Sequence, residues 1–406
     1  RGEACATIDR MQKGTPEYRR ATVAMLCAGL AIFSSLYATQ ALLPVLTVEM
    51  GATPSEAALT VSAATGAIAV CVVPASILSE KFGRGRVLTI SAVAATAVGM
   101  LVPLGQSIEQ ITALRALQGA LLAGTPAVAM AWLAEELDQA DLPGAMGLYI
   151  AGNTIGGIIG RLIPSLMLEV VSWRWALVAS AATSLSLAIA TWVLLPPQRN
   201  FHPKDTIRPG AEFTAIAGHL RNPRLLGLMA TAFVGMGVFV SMYNFFGFRA
   251  IGDFGLPPSL AGLAFLMYLS GTWSSARAGS FVERFGRGRV VLAGAVLMLV
   301  GALISASSTL WLALVGLLIF TASFFALHST ASGWVGVIAD HDRAEASSLY
   351  VFFYYMGSSI LGAVTGRAFE TLPWSGFVAV LAALLAGLAL VAGLLAQGER
   401  RQAKSA

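Results

Sequence analysis

Apolar runs of about twenty residues follow one another through nearly the whole chain, and a run of that length has few ways to fold. In a bilayer it crosses the hydrocarbon core as one helix, because only a helix satisfies all of its own backbone hydrogen bonds there. The runs lie near 21–45, 57–78, 87–104, 108–134, 142–168 and 173–195, and again near 225–248, 258–280, 290–306, 310–338, 346–369 and 374–396. Twelve spans are therefore predicted. The chain is 56% hydrophobic and only 12% charged, whereas soluble domains are about a quarter charged. The expected class is an all-α integral membrane protein.

A second feature divides the spans into two sets. Glu80-Lys81-Phe82-Gly83-Arg84-Gly85-Arg86-Val87 joins the second and third runs, and Glu283-Arg284-Phe285-Gly286-Arg287-Gly288-Arg289-Val290 joins the eighth and ninth. The copies lie 203 residues apart, half of the 406-residue chain, so the sequence reads as two homologous halves. The glycines allow a tight reversal, the basic side chains stay at the membrane surface, and the carboxylate can pair with them or face a helix N-terminus. Weaker echoes support the duplication. Gly152-Asn153-Thr154-Ile155-Gly156-Gly157 answers Gly357-Ser358-Ser359-Ile360-Leu361-Gly362, and Tyr37 answers Tyr243.

The repeated turn resembles the loop between spans two and three, and between spans eight and nine, of the major facilitator superfamily. That pattern is G-x-L-[AS]-D-[RK]-x-G-[RK]-[RK]; here Ser76 stands in place of the first glycine, which Gly279 keeps in the second copy, and Glu80 and Glu283 replace the aspartate. Gly147, Gly156 and Gly160 match the antiporter motif G-x8-G-x3-G, although Arg161 stands where proline is usual and Pro164-Ser165 replaces Gly-Gly. Arg115-Ala116-Leu117-Gln118-Gly119 resembles R-x-x-q-G, whose arginine is associated with proton coupling in drug antiporters. A finer resemblance is to the YnfM-type, arabinose-efflux-like permeases of the drug:proton antiporter branch. It rests on Gly147-Leu148-Tyr149-Ile150-Ala151-Gly152-Asn153, Gly271-Thr272-Trp273-Ser274-Ser275, His328-Ser329-Thr330-Ala331-Ser332 and Ala346-Ser347-Ser348-Leu349-Tyr350. The resemblance implies the twelve-helix superfamily fold, in two six-helix pseudo-symmetric halves, and secondary transport.

Lysine and arginine cluster in the first residues, the two turns, the centre of the chain and the C-terminus (Arg400, Arg401, Lys404), whereas the opposite loops hold chiefly Arg174 and Arg249. Both termini are therefore expected on the cytoplasmic face of a bacterial inner membrane. The expected organisation is a tail over 1–20, a first half over 21–195, a linker over 196–224, a second half over 225–396 and a tail over 397–406. The first residues carry no apolar core with a cleavage site, so no secretory signal is expected; the chain starts at Arg1, so trimming upstream is expected. Glu135, Glu136, Asp138 and Asp141 make the connection after the fourth span acidic. A solvated helix end is the favoured reading, with pairing to the basic turns as the alternative. Cys5, Cys27 and Cys71 form no disulfide framework and no metal spacing.

Superfamily architecture implies a substrate site near the midplane, lined by the first, fourth, seventh and tenth spans. Its polar and aromatic candidates are Tyr37, Gln40, Arg115, Gln118, Tyr243, Asn244, His328 and Thr330, with Asn153 added from the fifth span. Each of these also suits plain packing or an interhelical hydrogen bond. No Asp or Glu falls in mid-span, so the expected proton-coupling groups are Arg115 and His328, imidazole titrating near about 6.5 when unperturbed. Arg115 could instead snorkel to the interface. The expected gating residues are Glu80, Lys81, Gly83, Arg84, Arg86, Glu283, Arg284, Gly286, Arg287 and Arg289, together with Arg161, which reads as either a site or a gate residue.

The sequence holds no phosphate-cradling loop and no catalytic constellation, so neither an enzyme nor an ATP-driven pump is expected. No cofactor, metal or nucleic acid is expected. The expected partners are a small-molecule substrate, protons and membrane lipid, around a monomer. Three functions fit: proton-coupled export of an amphipathic solute, import of a sugar or organic anion by symport or facilitated diffusion, and a sensor or scaffold that has lost transport.

Overall fold

The computed structural model describes residues 10–201, 218–339 and 343–405. Cys5 and the rest of 1–9, most of the stretch read as a linker (202–217) and the Lys404 side chain lie outside the described residues.

Eleven described segments are long and apolar enough to cross a membrane: Pro16–Met50, Pro54–Phe82, Arg84–Leu104, Ile108–Glu136, Leu142–Met167, Trp173–Leu194, Pro223–Gly252, Arg287–Ile304, Leu310–Ile338, Glu345–Thr371 and Trp374–Arg401. The twelfth helix, eighth along the chain, is broken into Pro258–Ala261, a 3-10 stretch Gly262–Met267 and Tyr268–Phe285. Ser270, Thr272, Ser274, Ser275 and Arg277 make it the least apolar of the set. Large apolar side chains such as Leu390, Leu394 and Trp192 are more than half exposed, an outward face suited to lipid.

Local chemistry sets the helix ends. Thr53 and Glu56 form a reciprocal capping box ahead of Pro54, and Ser107 and Asn222 cap the fourth and seventh spans. Thr15 caps a helix that begins at Pro16, inside the stretch read as a tail, because Pro at the first helical position and a Thr before it favour a start there. The last helix likewise continues to Ser405, through the stretch read as the C-terminal tail. At each repeated turn one helix ends and the next begins across a single glycine, Gly83 at φ 97° and Gly286 at φ 84°. Those angles are ones a side chain strongly disfavours.

Glycines also bring the spans together in pairs. A Cβ on Gly152, Gly156 or Gly160 of the fifth span would run into the main chain of Leu26, Leu30 or Ser34 of the first. A Cβ on Gly357 of the eleventh span would run into Phe233 of the seventh. Small residues in this spacing let two backbones touch, and the same device recurs in both halves.

The acidic connection after the fourth span departs from the favoured reading. Glu136 is fully buried, and its carboxylate accepts hydrogen bonds from the Arg199 and Asn200 main-chain N–H groups at 3.0 to 3.1 Å. Glu135 meets Arg84 Nε at 2.5 Å, and Asp141 accepts from the Lys13 N–H at 2.7 Å. These three acids are therefore fixed by partners, and of them Glu135 alone is shown pairing with a basic turn, at Arg84.

Candidate functional site

Residues at two levels define the site, named here from the end that carries Gly83 and Gly286, the turn end, and the far end opposite. At the far end the halves are joined by hydrogen bonds. Ser165 Oγ donates to the Pro258 carbonyl at 3.0 Å, Ser259 Oγ meets the Glu169 carboxylate, and the Ser55 N–H donates to Glu370 Oε1 at 2.8 Å. The last two are counterparts. In each, a carboxylate closing the fifth or eleventh span reaches the start of the second or eighth span of the other half. A carboxylate at a helix N-terminus is well placed electrostatically. Further in, Ser359 Oγ donates to the Ser62 carbonyl at 2.7 Å, and Gln40 Nε2 donates to Asn244 Oδ1 at 2.7 Å.

Above this seal lies a cavity of about 460 Å³ between the halves, walled by Tyr37, Asn153, Arg161, Tyr268, His328 and Tyr354 among others. Helix rise places Ile150, also on its wall, about 16 Å closer to the turn end than Arg161. The cavity thus runs from the seal toward the turn end. A groove of about 420 Å³ on the outer side of the eighth, ninth and tenth helices, with Trp273, Phe281, Phe285 and Leu297 in its wall, lacks such convergent polar groups. It suits lipid rather than cargo.

Arg161 forms the floor. Nε donates to Gln40 Oε1 at 2.7 Å, Nη1 to the Gly157 carbonyl at 2.6 Å, and Nη2 to the Tyr268 hydroxyl at 3.0 Å. The guanidinium carbon lies 3.9 Å from the Tyr37 ring centre, 4.6 Å from that of Tyr268 and 5.0 Å from that of Phe265, an aromatic cage for a cation. Because Tyr268 belongs to the second half and Gln40 also holds Asn244, one side chain ties the floor to the seal.

His328 supplies a wall. Its Nδ1 lies 3.0 Å from the Tyr350 hydroxyl, and its ring centre is 4.6 Å from that of Tyr354 and 5.8 Å from that of Phe324. Phe324 in turn stacks on Phe239 at 4.1 Å. The result is an aromatic surface with one imidazole on it, opposite a buried cation.

The other sequence candidates divide. Tyr37, Asn153, His328 and Arg161 all line the cavity. Gln40 and Asn244 form the cross-half bond below it. Arg115 and Gln118 stay inside the first half: Arg115 donates to the main-chain carbonyls of Thr60 at 3.1 Å and Ser35 at 2.9 Å and to that of Leu36, and it also meets Gln118 Oε1. Gln118 Nε2 donates to Ser35 Oγ at 2.6 Å. Neither borders the cavity, and Arg115 is buried rather than snorkelling, at 1% exposure. Tyr243 lies behind the wall, its hydroxyl 2.6 Å from Thr321 Oγ1 and its ring stacked on Phe265. Thr330 is buried outside the lining, its hydroxyl without a partner among the described residues. Tyr268, Tyr354, Ser275, Ser329 and Phe325 line the cavity and were not among the candidates. They sit on the eighth and eleventh helices, which the four-span expectation left aside, or beside His328. The tyrosines at 350, 354 and 355 were the available signal.

Of the gating candidates Arg161 bonds Tyr268 across the halves, whereas the repeated turns show contacts within their own halves. Arg84 lies 3.9 Å from Glu80 and bonds Glu135 and Ser79, and the Gly85 N–H donates to Gln198 Oε1 at 2.8 Å. In the second copy the Gly288 and Arg287 N–H groups donate to Glu399 at 2.7 and 3.2 Å. Gln198, just after the sixth span, and Glu399, near the end of the twelfth, thus cap the two turns. Lys81 lies over Phe82 and Arg284 over Phe285, Arg86 borders a surface pocket with Gln198, Arg289 borders the outer groove, and Glu283 is exposed.

A paired-half bundle with a cavity at its interface is a transporter architecture, and the sequence profile of the Major Facilitator Superfamily matches residues 24–277. The chain belongs to the Major Facilitator Superfamily. It is a multi-pass membrane transporter of the secondary type, working by alternating access. Over 384 residues, 94% of this transporter and 92% of the relative, it is 39% identical to the inner membrane transport protein YnfM of Escherichia coli. Over 388 residues, 95% of the chain and 96% of the relative, it is 34% identical to the uncharacterized MFS-type transporter YybF of Bacillus subtilis. Among solved structures it resembles a bacterial homolog of the human lysosomal transporter Spinster in an inward-facing, unoccupied conformation. The TM-score is 0.74 at 14% identity, covering 96% of this chain and 98% of that one.

Proposed function

We propose that this transporter is a proton-coupled exporter of a small amphipathic solute, with both termini and the turn end in the cytoplasm. The observation that carries the reading is the cavity itself, with polar groups at its Arg161 floor, an aromatic wall at His328 and a hydrogen-bonded seal on the far side. Aromatic and amide groups converging in an otherwise apolar space suit an amphipathic molecule. The resemblance of the fourth and fifth spans to antiporter motifs supports export. In this reading the cavity faces the cytoplasm and loads from it. His328 exchanges the proton, and the turn residues Glu80, Arg84, Glu283 and Arg287 form contacts across the halves in the opposite state. Solute and proton must each bind the two states unequally for uphill movement to follow.

A cationic floor also suits symport of an organic anion into the cell, so direction is the quantity to measure. Everted vesicles carrying the transporter, energised acid-inside, are expected to accumulate the solute and release protons as it enters. Accumulation only in right-side-out vesicles would assign import. Solute binding with no flux in either preparation would assign a sensor.

A further inference from the structure

The exporter reading leaves the chemical class of the cargo open, and the surroundings of Arg161 narrow it. This side chain is 1% exposed. Three of its five N–H groups meet neutral acceptors, on Gln40, Gly157 and Tyr268. Among the described residues it has no ion pair, and every Asp and Glu of the spans sits near a span end. Nδ2 of Asn244, the residue bonded to Gln40, is a further buried donor without a partner among the described residues. A buried cation held only by neutral groups is costly, and an anion brought to it relieves that cost.

We infer that the cargo is a planar, singly charged carboxylate, seated with its anionic head on Arg161 and its apolar body against the rings of His328 and Tyr354. The two N–H groups of Arg161 without a partner among the described residues match the two oxygens of a carboxylate. Among the described residues Arg161 is the sole lysine or arginine on the cavity wall, which matches one charge rather than two. A cation would meet like charge at the floor. The anchor also bears on gating, because the guanidinium that takes the head is bonded to Tyr268 across the halves and to Gln40 in the seal.

This inference rests on the transport reading for its consequence, and binding separates the two. The probes are 2-naphthoate, 2-naphthamide and 2-naphthylmethylammonium, with benzoate and benzamide as a smaller pair, measured calorimetrically on the full chain in lipid nanodiscs. The unaltered protein is expected to bind each acid at least about tenfold more tightly than its amide, and the ammonium least. Arg161→Gln is expected to bring the acid to the level of the amide, and Arg161→Lys to keep part of the preference. Amide or ammonium binding equal to the acid, no acid binding at millimolar concentration, or a preference that survives Arg161→Gln would each overturn the inference. The ranking on the unaltered protein stands as a test even where a variant does not fold. Acid binding without flux would remove export and leave the anchor. Proton-driven flux of a neutral solute through Arg161→Gln vesicles would do the reverse.

Discussion

Arg115 and Arg161 are both arginines buried in the first half, and their partners separate their roles. Arg115 turns its guanidinium to main-chain carbonyls of the first and second spans, so it pins helices. Removing a buried charge from such a set leaves several carbonyls unsatisfied. Arg115→Leu is expected to destabilise the protein by about 3 kcal/mol or more while leaving cargo affinity unchanged in the protein that remains folded. Thermal unfolding and calorimetry check this; normal stability with lost binding would return Arg115 to the site. His328 is the matching case on the other wall. His328→Phe keeps the ring stacking and removes the Nδ1 contact with Tyr350. Downhill exchange is expected to persist and proton-driven accumulation to fall to the downhill level; full accumulation would place coupling elsewhere. From the sequence, Arg161 stood out as a charge where a kink was expected. Its Tyr37 and Tyr268 cage did not, since those rings come from helices more than 100 residues away in sequence.

At the scale of elements, the two carboxylate contacts at the far end act as paired latches. Glu169 meets Ser259, and Glu370 meets the N-terminus of the second span at Ser55. Each joins one half to the other, so losing both weakens one state alone. Glu169→Gln with Glu370→Gln is expected to lengthen the spin-label distance between positions 53 and 371 in a growing share of molecules. An unchanged distribution would show that the seal is held by Gln40, Asn244 and Arg161 without them. The glycine face of the fifth span is legible, because a residue every fourth position shares one helical face, but that it meets the first span is not. The latches are not legible either. Glu169 and Glu370 read only as acids near span ends, and nothing in local sequence says that a span end of one half faces a span start of the other.

For the whole molecule, the duplication at 203 residues carried most of the architecture. Twelve apolar runs, one repeated turn and two matching glycine sets left one superfamily pattern to recognise. The broken eighth helix shows where such reading stops: it borders the cavity, and its serines, threonine and arginine lower the apolarity by which a span is found. The acidic connection at 135–141 shows a second limit, since its partners Arg84, Lys13 and the 199–200 main chain come from three separate stretches. The central claim is that the halves part at the Gln40–Asn244 seal in every transport cycle. The direct measurement uses Gln40→Cys with Asn244→Cys in a background lacking Cys5, Cys27 and Cys71, joined by a short reducible thiol cross-linker in vesicles. Transport is expected to stop on cross-linking and return on reduction, and undiminished transport with the cross-link complete would contradict the account.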